Sequence, residues 1–360
     1  NTINMGVFML KLVILIIYFA VLIGIGLYCR KHATDVNGFV LGGRSVGPWL
    51  TAFAYGTSYF SAVVFVGYAG QFGWKYGIAA TWAGIGNAII GSLLAWVVLG
   101  RRTRIMSQHL DSATMPQYFG KRFGSNPLKI GASVIIFIFL IPYTASLYNG
   151  LSRLFGMAFN IDYSVCIIIM ATLTAIYVIA GGYMATAIND FIQGIIMLFG
   201  IVAVIAAVIH SKGGFMSALQ GLANVSDPAV SDTPGIFASF FGPDPFNLLC
   251  VVILTSLGTW GLPQMVQKFY AIDNEASIQK GTVISTIFAL IVSGGCYFLG
   301  GFGRLFSDQI DVKANGFDSI IPTMLSNLSP ALIALVVILV LSASMSTLSS
   351  LVIASSSTLT

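Results

Sequence analysis

The sequence predicts an all-α polytopic membrane protein, and three observations carry that prediction. The chain is 57% hydrophobic and 8% charged over 360 residues, with a mean hydropathy of +0.90, outside the range of soluble domains. Nine apolar stretches can cross about 30 Å of hydrocarbon at about 1.5 Å per residue: approximately 11–29, 47–72, 77–100, 130–152, 163–183, 191–210, 246–267, 282–303 and 331–355. None shows the alternation of a membrane barrel strand, so all nine read as helices.

The first stretch is a retained helix rather than a leader. It exceeds an ordinary signal h-region, lacks a clean A-x-A site and runs into Arg30, Lys31 and His32. With its N-terminus outside, the inside loops hold 11 of the 17 basic residues, Lys268 among them, and five acids. That balance of +6, against −1 outside, obeys the positive-inside rule, and topology accounts for the basic pI without nucleic acid. Three loops are long. Residues 101–129 are basic, with MPQYFGKRFG expected along the inner surface; 211–245 lie outside with a brief helix around 215–224; 304–330 carry Asp308, Asp311 and Asp318 outside. Residues 319–360 hold no charge and stop without a cytoplasmic flank, so a fragment of a longer product is expected.

Several chemistries find no support. Cys29, Cys166, Cys250 and Cys296 lie in or beside apolar spans without metal or redox spacing, which indicates packing. No G-x-x-x-x-G-K-S/T loop occurs, which argues against an ATP-driven pump. His32, His109 and His210 sit at loops or helix ends, and nothing indicates catalysis.

Function-bearing signals lie instead where spans break down. The segment 54–70, AYGTSYFSAVVFVGYAG, places Gly56, Thr57, Ser58, Ser61, Gly67 and Gly70 where a lipid-facing helix would carry Leu and Ile. Glycine loosens the helical ladder, and freed carbonyls beside hydroxyls make oxygen-rich surface, tolerated at membrane depth only under protein or a watery cavity. Close packing through small residues is the plainer reading. A second interruption, Gly258-Thr259-Trp260-Gly261-Leu262-Pro263-Gln264, combines a lost helical donor with two glycines, as a simple kink would too. These breaks fall in the second and seventh spans, five apart, which predicts a five-helix inverted repeat with a transporter site at the breaks. Asp190, in GGYMATAINDFIQGIIM with Gln193 three positions on, reads either as a helix cap at the cytoplasmic boundary or as part of an ion path, with the cap ahead on sequence alone. The hydroxyls of Ala343-Ser344-Met345-Ser346-Thr347 suit a hard cation, but in isolation back-bonding or a small-residue interface explains them better.

Taken in order, GFVLGGRSVGPW (38–49), the first broken span, GGYMATAINDFIQ (181–193), GLPQMVQKFYAIDN (261–274) and SASMSTLSS (342–350) resemble the sodium:solute symporter family, which includes sodium/glucose, sodium/proline and sodium/pantothenate carriers. The resemblance spans nearly the whole chain and implies a LeuT-like fold of five plus five inverted helices after one extra N-terminal helix. By that pattern residues 1–46 hold the extra helix and a cytoplasmic loop. Residues 47–210 form the first repeat, 211–245 an extracellular loop, and 246–360 a second repeat that stops after its core helix eight. It further implies a sodium ion, the coupling ion, between core helices one and eight, held by the carbonyls of Thr57, Phe60 and Ala343 and the hydroxyls of Ser346 and Thr347. Asp190 takes the place of the family's acid near the inward ion exit.

For the solute, the positions that bind sugar hydroxyls in the sugar branch correspond to Val64 and Gly84, and those expected to be an acid and two aromatics in the proline branch read Tyr59, Thr255 and Thr259. The pattern looks most like the pantothenate and small-carboxylate branch, with Ser61, Thr255, Thr259, Trp260 and Gln264 expected around the substrate. With no Arg or Lys expected mid-membrane, a half-helix N-terminus would meet an anionic carboxylate. The leading expectation is a sodium-coupled importer in the cell membrane working by alternating access. A symporter-like input module of a sensor kinase is the alternative, and a passive channel fits less well.

Overall fold

The computed structural model describes residues 2–32, 34–159 and 162–358, and about 85% of the protein is helical. Helix α1 (Thr2–Cys29) leads into a short α2 (Val36–Leu41), capped by the Asp35 carboxylate on the Gly38 N–H. The second span is α3 (Pro48–Tyr59) followed, after Phe60 and Ser61, by a π-helical turn (Val63–Tyr68) and α4 (Ala69–Tyr76). The third runs from α5 (Thr81–Gly86) through π-helical stretches at Asn87–Leu94 and Trp96–Gly100 into α6 (Arg101–His109). Then come α7 (Met115–Phe123), α8 (Asn126–Phe159), α9 (Tyr163–Ser211) and α10 (Phe215–Ala223). The last part holds α11 (Pro245–Leu257), α12 (Pro263–Ala271), α13 (Glu275–Gly301), α14 (Val312–Asn315), α15 (Ile320–Ser326) and α16 (Pro330–Thr358).

Both predicted breaks are present. α3 ends in extended backbone at Phe60 (φ −86°, ψ 115°). α11 passes through a 3-10 turn and extended Leu262 into α12, and the two helices meet at a 52° bend. Proline at the first position of α12 costs nothing there, because that N–H has no helical partner anyway. α10 matches the helix expected around 215–224.

Elsewhere the boundaries differ from the sequence reading. α6 continues nine residues past Gly100 into the basic stretch, where Arg101 pairs with Glu275 at 2.6 Å and Arg104 donates to the Ile272 and Asp273 carbonyls. α8 tolerates Pro142 in its interior, as membrane helices can where neighbours resolve the freed carbonyl. The expected spans 163–183 and 191–210 fall in one run, α9, interrupted at Gly182, whose φ of 56° an L side chain would strain. Cys29 and Cys296 are buried as expected, but Cys250 is exposed; the Cys166 side chain lies outside the described set.

Burial separates a centre from a lipid-facing rim. The membrane-crossing window of α16 is 72% buried and that of α8 only 11%. α16 spends its hydroxyls inward: Ser342, Ser344, Ser346, Thr347, Ser349 and Ser350 are all buried. α4 and α13 meet backbone to backbone, since a Cβ on Gly73 would stand 1.9 Å from the Gly300 carbonyl oxygen. On the face of the basic loops, Arg44 reaches the Tyr270, Ser107 and Ser112 carbonyls, tying the start of the chain to α12 and α6.

At the opposite end a single side chain holds three segments. Arg304 is buried, donates to the Trp74 carbonyl at 2.6 Å and to Asp227 at 2.9 Å, and lies 3.8 Å over the Phe237 ring. Breaking a fully buried pair costs about 3–5 kcal/mol. Because Asp227 is 31% exposed, Arg304→Met is expected to cost about 2 kcal/mol, read as a lowered thermal midpoint in detergent. An unchanged midpoint would mean that this clasp adds nothing.

Candidate functional site: an oxygen cluster beside an aromatic cavity

The break in α3 brings main-chain oxygen to face α16. Thr57 is fully buried, and its carbonyl accepts from the Ser346 hydroxyl at 3.2 Å and the Thr347 hydroxyl at 3.4 Å. The same hydroxyls also donate to the Ala343 carbonyl at 3.1 and 3.0 Å. Back-bonding, the plainer reading of this segment, is therefore real, and contact across to the broken span at α3 accompanies it. Ser344 shows the difference: its hydroxyl bonds only within α16, to Val340 at 2.8 Å. At Phe60 a ψ of 115° turns the carbonyl out of the helical ladder.

Thr57, Ala343, Ser346 and Thr347 thus form one buried cluster joining the two halves of the chain. Each hydroxyl oxygen keeps lone pairs when its proton turns away. Carbonyls and hydroxyls are hard ligands, suited to a hard cation stripped of water. Such a cation is costly in hydrocarbon unless protein oxygen replaces its hydration.

Immediately past Phe60 the chain lines a cavity of about 400 Å³, walled by Tyr59, Ser61, Val64, Thr255, Thr259 and Tyr297 among others, none of them charged. Three of the expected substrate residues, Ser61, Thr255 and Thr259, share this wall. Two do not: Trp260 donates to the Ile90 carbonyl at 2.9 Å, and Gln264 is fully buried with neither amide atom hydrogen-bonded. Tyr68, Phe72, Tyr143 and Tyr297 join the wall without having been singled out, because an aromatic in an apolar span reads the same facing lipid or cavity. Behind the wall, the Asn87 side-chain carbonyl accepts from Thr255 at 3.2 Å and Ser256 at 3.0 Å, and its amide donates to Ser293 at 3.1 Å. Thr255 also donates to the Val251 carbonyl at 2.9 Å, so Asn87→Ala would take a partner chiefly from the buried Ser256 and Ser293 hydroxyls, at about 1–3 kcal/mol. It should loosen the cavity wall, raising the half-saturating solute concentration more than it lowers the maximal rate. Unaltered solute affinity would place Asn87 outside the binding wall.

Asp190 is not a cap. It lies inside α9, eight residues beyond Gly182, fully buried, with neither carboxylate oxygen hydrogen-bonded. Gln193 does not pair with it and donates instead to the Tyr18 hydroxyl at 2.9 Å. Its partner is Lys268, 3.8 Å away on α12. The sequence reading placed Lys268 in an inside loop and expected no mid-membrane cation; the structure buries it to 1% exposure. That leaves ten basic residues in the predicted inside loops.

Two broken spans, a buried cation-type oxygen cluster where the first of them meets α16, and an adjoining solute-sized cavity define an ion-coupled secondary transporter. The model of the sodium:solute symporter family matches residues 39–360, and the chain belongs to that family. Sodium is accordingly its coupling ion. The chain is 30% identical over 363 residues to sodium/proline symporters of Staphylococcus aureus strains JH9 and NCTC 8325 / PS 47, covering 97% of this chain and 67% of each relative. Its fold is similar to that of a Na+-coupled sialic acid symporter in a substrate-bound outward-open state, with a TM-score of 0.78 at 16% identity, over 97% of this chain and 72% of that one.

Proposed function

We propose that this protein imports a small organic solute bearing a carboxylate, an amino acid or a pantothenate-like acid, together with sodium bound at Thr57, Phe60, Ala343, Ser346 and Thr347. The observation that carries this reading is the Thr57 carbonyl held by both the Ser346 and Thr347 hydroxyls, because an ion bound there joins the broken span of the first half to α16 of the second. A ligand shifts a conformational equilibrium only by its differential affinity for the two states. Oxygens supplied by two elements that move relative to each other provide that difference. Phe60 sits between Tyr59 and Ser61 of the cavity, so ordering the α3 break around sodium also sets the solute wall.

The cavity supports a small acid over a sugar. Val64 lines the wall where a sugar-binding amide is expected, and Gly84 packs so closely that a Cβ would stand 2.5 Å from the Gly294 Cα, leaving no room for a glutamate. α12 starts one residue beyond Leu262 of the wall, setting a helix N-terminal end beside an uncharged cavity. The relatives named sodium/proline symporters favour the amino-acid member of this class. By the positive-inside rule we place the protein in the cell membrane with the N-terminus outside.

The test is uptake by proteoliposomes of the full-length protein under an inward sodium gradient, with labelled proline, pantothenate, short carboxylates and glucose. Accumulation of one acid, lost when potassium replaces sodium, is expected. Accumulation of glucose alone, or uptake indifferent to sodium, would overturn the reading.

A further inference from the structure

α1 and α9 touch backbone to backbone at one crossing. A Cβ on Gly26 would stand 2.9 Å from the Tyr177 Cα, and one on Gly181 2.7 Å from the Gly26 carbonyl oxygen. Small residues allow that approach, and helices that cross so closely diverge on either side. Beside the crossing lies a groove of about 560 Å³, lined by Leu27, Arg30, Ala175, Ile176, Ile179 and Ala180. It reaches Thr172, and so runs about 12 Å along α9 at about 1.5 Å per residue. Leu27, Ile176 and Ile179 leave exposed aliphatic surface along it.

One end of the groove carries charge. Arg30 directly follows α1, is exposed and lines the groove, yet it forms no ion pair among the described residues, and no acid shares the lining. Asp35, the nearest acid in the chain, is occupied in capping α2. Lys31 stands next to Arg30, with its ammonium 4.7 Å over the exposed Tyr28 ring. A tyrosine and two long basic side chains at a helix end mark the headgroup level of a bilayer.

We propose that this groove binds an anionic glycerophospholipid, with its phosphate at Arg30 and Lys31 and one acyl chain along Leu27, Ile176 and Ile179. The aliphatic surface calls for hydrocarbon and the guanidinium for an anion, and a phospholipid joins the two in one molecule. A zwitterionic headgroup would bring its own cation to the same place, which selects for net negative charge. The orientation proposed above sets Arg30 at the inner leaflet, whose anionic lipids basic pockets between helices recruit. The bound lipid braces α1 against α9 just before the break at Gly182.

The test uses full-length protein in detergent, exposed to phosphatidylglycerol and phosphatidylcholine of identical acyl chains, with retained lipid counted by native mass spectrometry. Binding in detergent does not depend on the orientation, so its failure is separate from that of the topology. Wild type should prefer phosphatidylglycerol by about fivefold or more, Arg30→Gln should lower that preference about fivefold, and Arg30→Lys should keep it. Ala175→Phe, which fills the groove but spares the charge, should retain less of either lipid. If it fails to insert, the Arg30 pair still decides.

An unchanged preference in Arg30→Gln would overturn the proposal. So would an equal loss in Arg122→Gln, an exposed charge on α7, because general basic attraction would then explain the effect. Wild type that retains neither lipid would mean that protein covers the groove. A thermal midpoint raised as much by inorganic phosphate as by phosphatidylglycerol would reduce the site to one for a bare anion. Either result would also defeat the lipid.

Discussion

Alanine at both Ser346 and Thr347 is expected to abolish the sodium dependence of transport. Two of the five proposed ligands are lost, and the carbonyls that remain come from Thr57, Phe60 and Ala343. A polar contact to a charged group contributes about 1.5–3 kcal/mol. Losing two therefore weakens sodium binding by at least about a hundredfold, beyond useful saturation in a transport assay. The structural cost is small beside that, because the Ala343 carbonyl stays within the α16 ladder and only the Thr57 carbonyl loses its partners across the helices. The double variant should thus insert normally and lose response to sodium in both uptake and thermal midpoint. Ser344→Ala is the matched control, since Ser344 bonds only its own helix. Wild-type sodium affinity in the double variant would sink the assignment.

The largest effect on folding is expected at Gly73. A methyl group there would meet the Gly300 carbonyl oxygen at 1.9 Å and its carbon at 2.1 Å, and a Cβ on Gly300 would in turn stand 2.0 Å from the Ala69 carbonyl oxygen. Flexible side chains can yield to such a probe, whereas two helix backbones must separate. Overpacking a well-packed interior costs about 1–3 kcal/mol, occasionally more; with backbone as the obstacle on both sides, Gly73→Ala should cost at least about 3 kcal/mol. The measurement is the yield and thermal midpoint of detergent-solubilised protein. Gly131→Ala, with nothing within 4 Å of its Cβ, is the control and should be neutral or slightly stabilising through helix propensity. Equal behaviour of the two variants would show that α4 and α13 do not pack as described.

Much of the site was legible because its physics is local. Gly56, Ser58 and Ser61 in one span and Gly258 to Pro263 in another weaken the helical ladder wherever they are placed, and both breaks occur there. The hydroxyls of Ser346 and Thr347 were equally visible, although sequence alone could not say whether they served their own helix or a partner; they do both. Trp260 and Gln264 were expected on the cavity for their place in the motif, but at a bend side-chain direction depends on the local backbone, and a 3-10 turn followed by extended Leu262 points both elsewhere.

Lys268 marks the limit of local reading. Five residues beyond Pro263 and close to Asp273 and Glu275, it looks like the start of an inside loop. Only the fold brings α9 against α12, so that a lysine and an aspartate 78 positions apart share one buried pocket. The sequence by itself determined that this chain crosses the membrane as helices, where two of those helices break and which residues offer oxygen to a hard cation, because composition and backbone propensity act within a few residues. The tertiary structure alone decided which oxygens face each other, which aromatics wall the cavity and which charges are withdrawn from water. Those outcomes depend on packing between distant segments, and no short stretch of sequence contains both sides of such a contact.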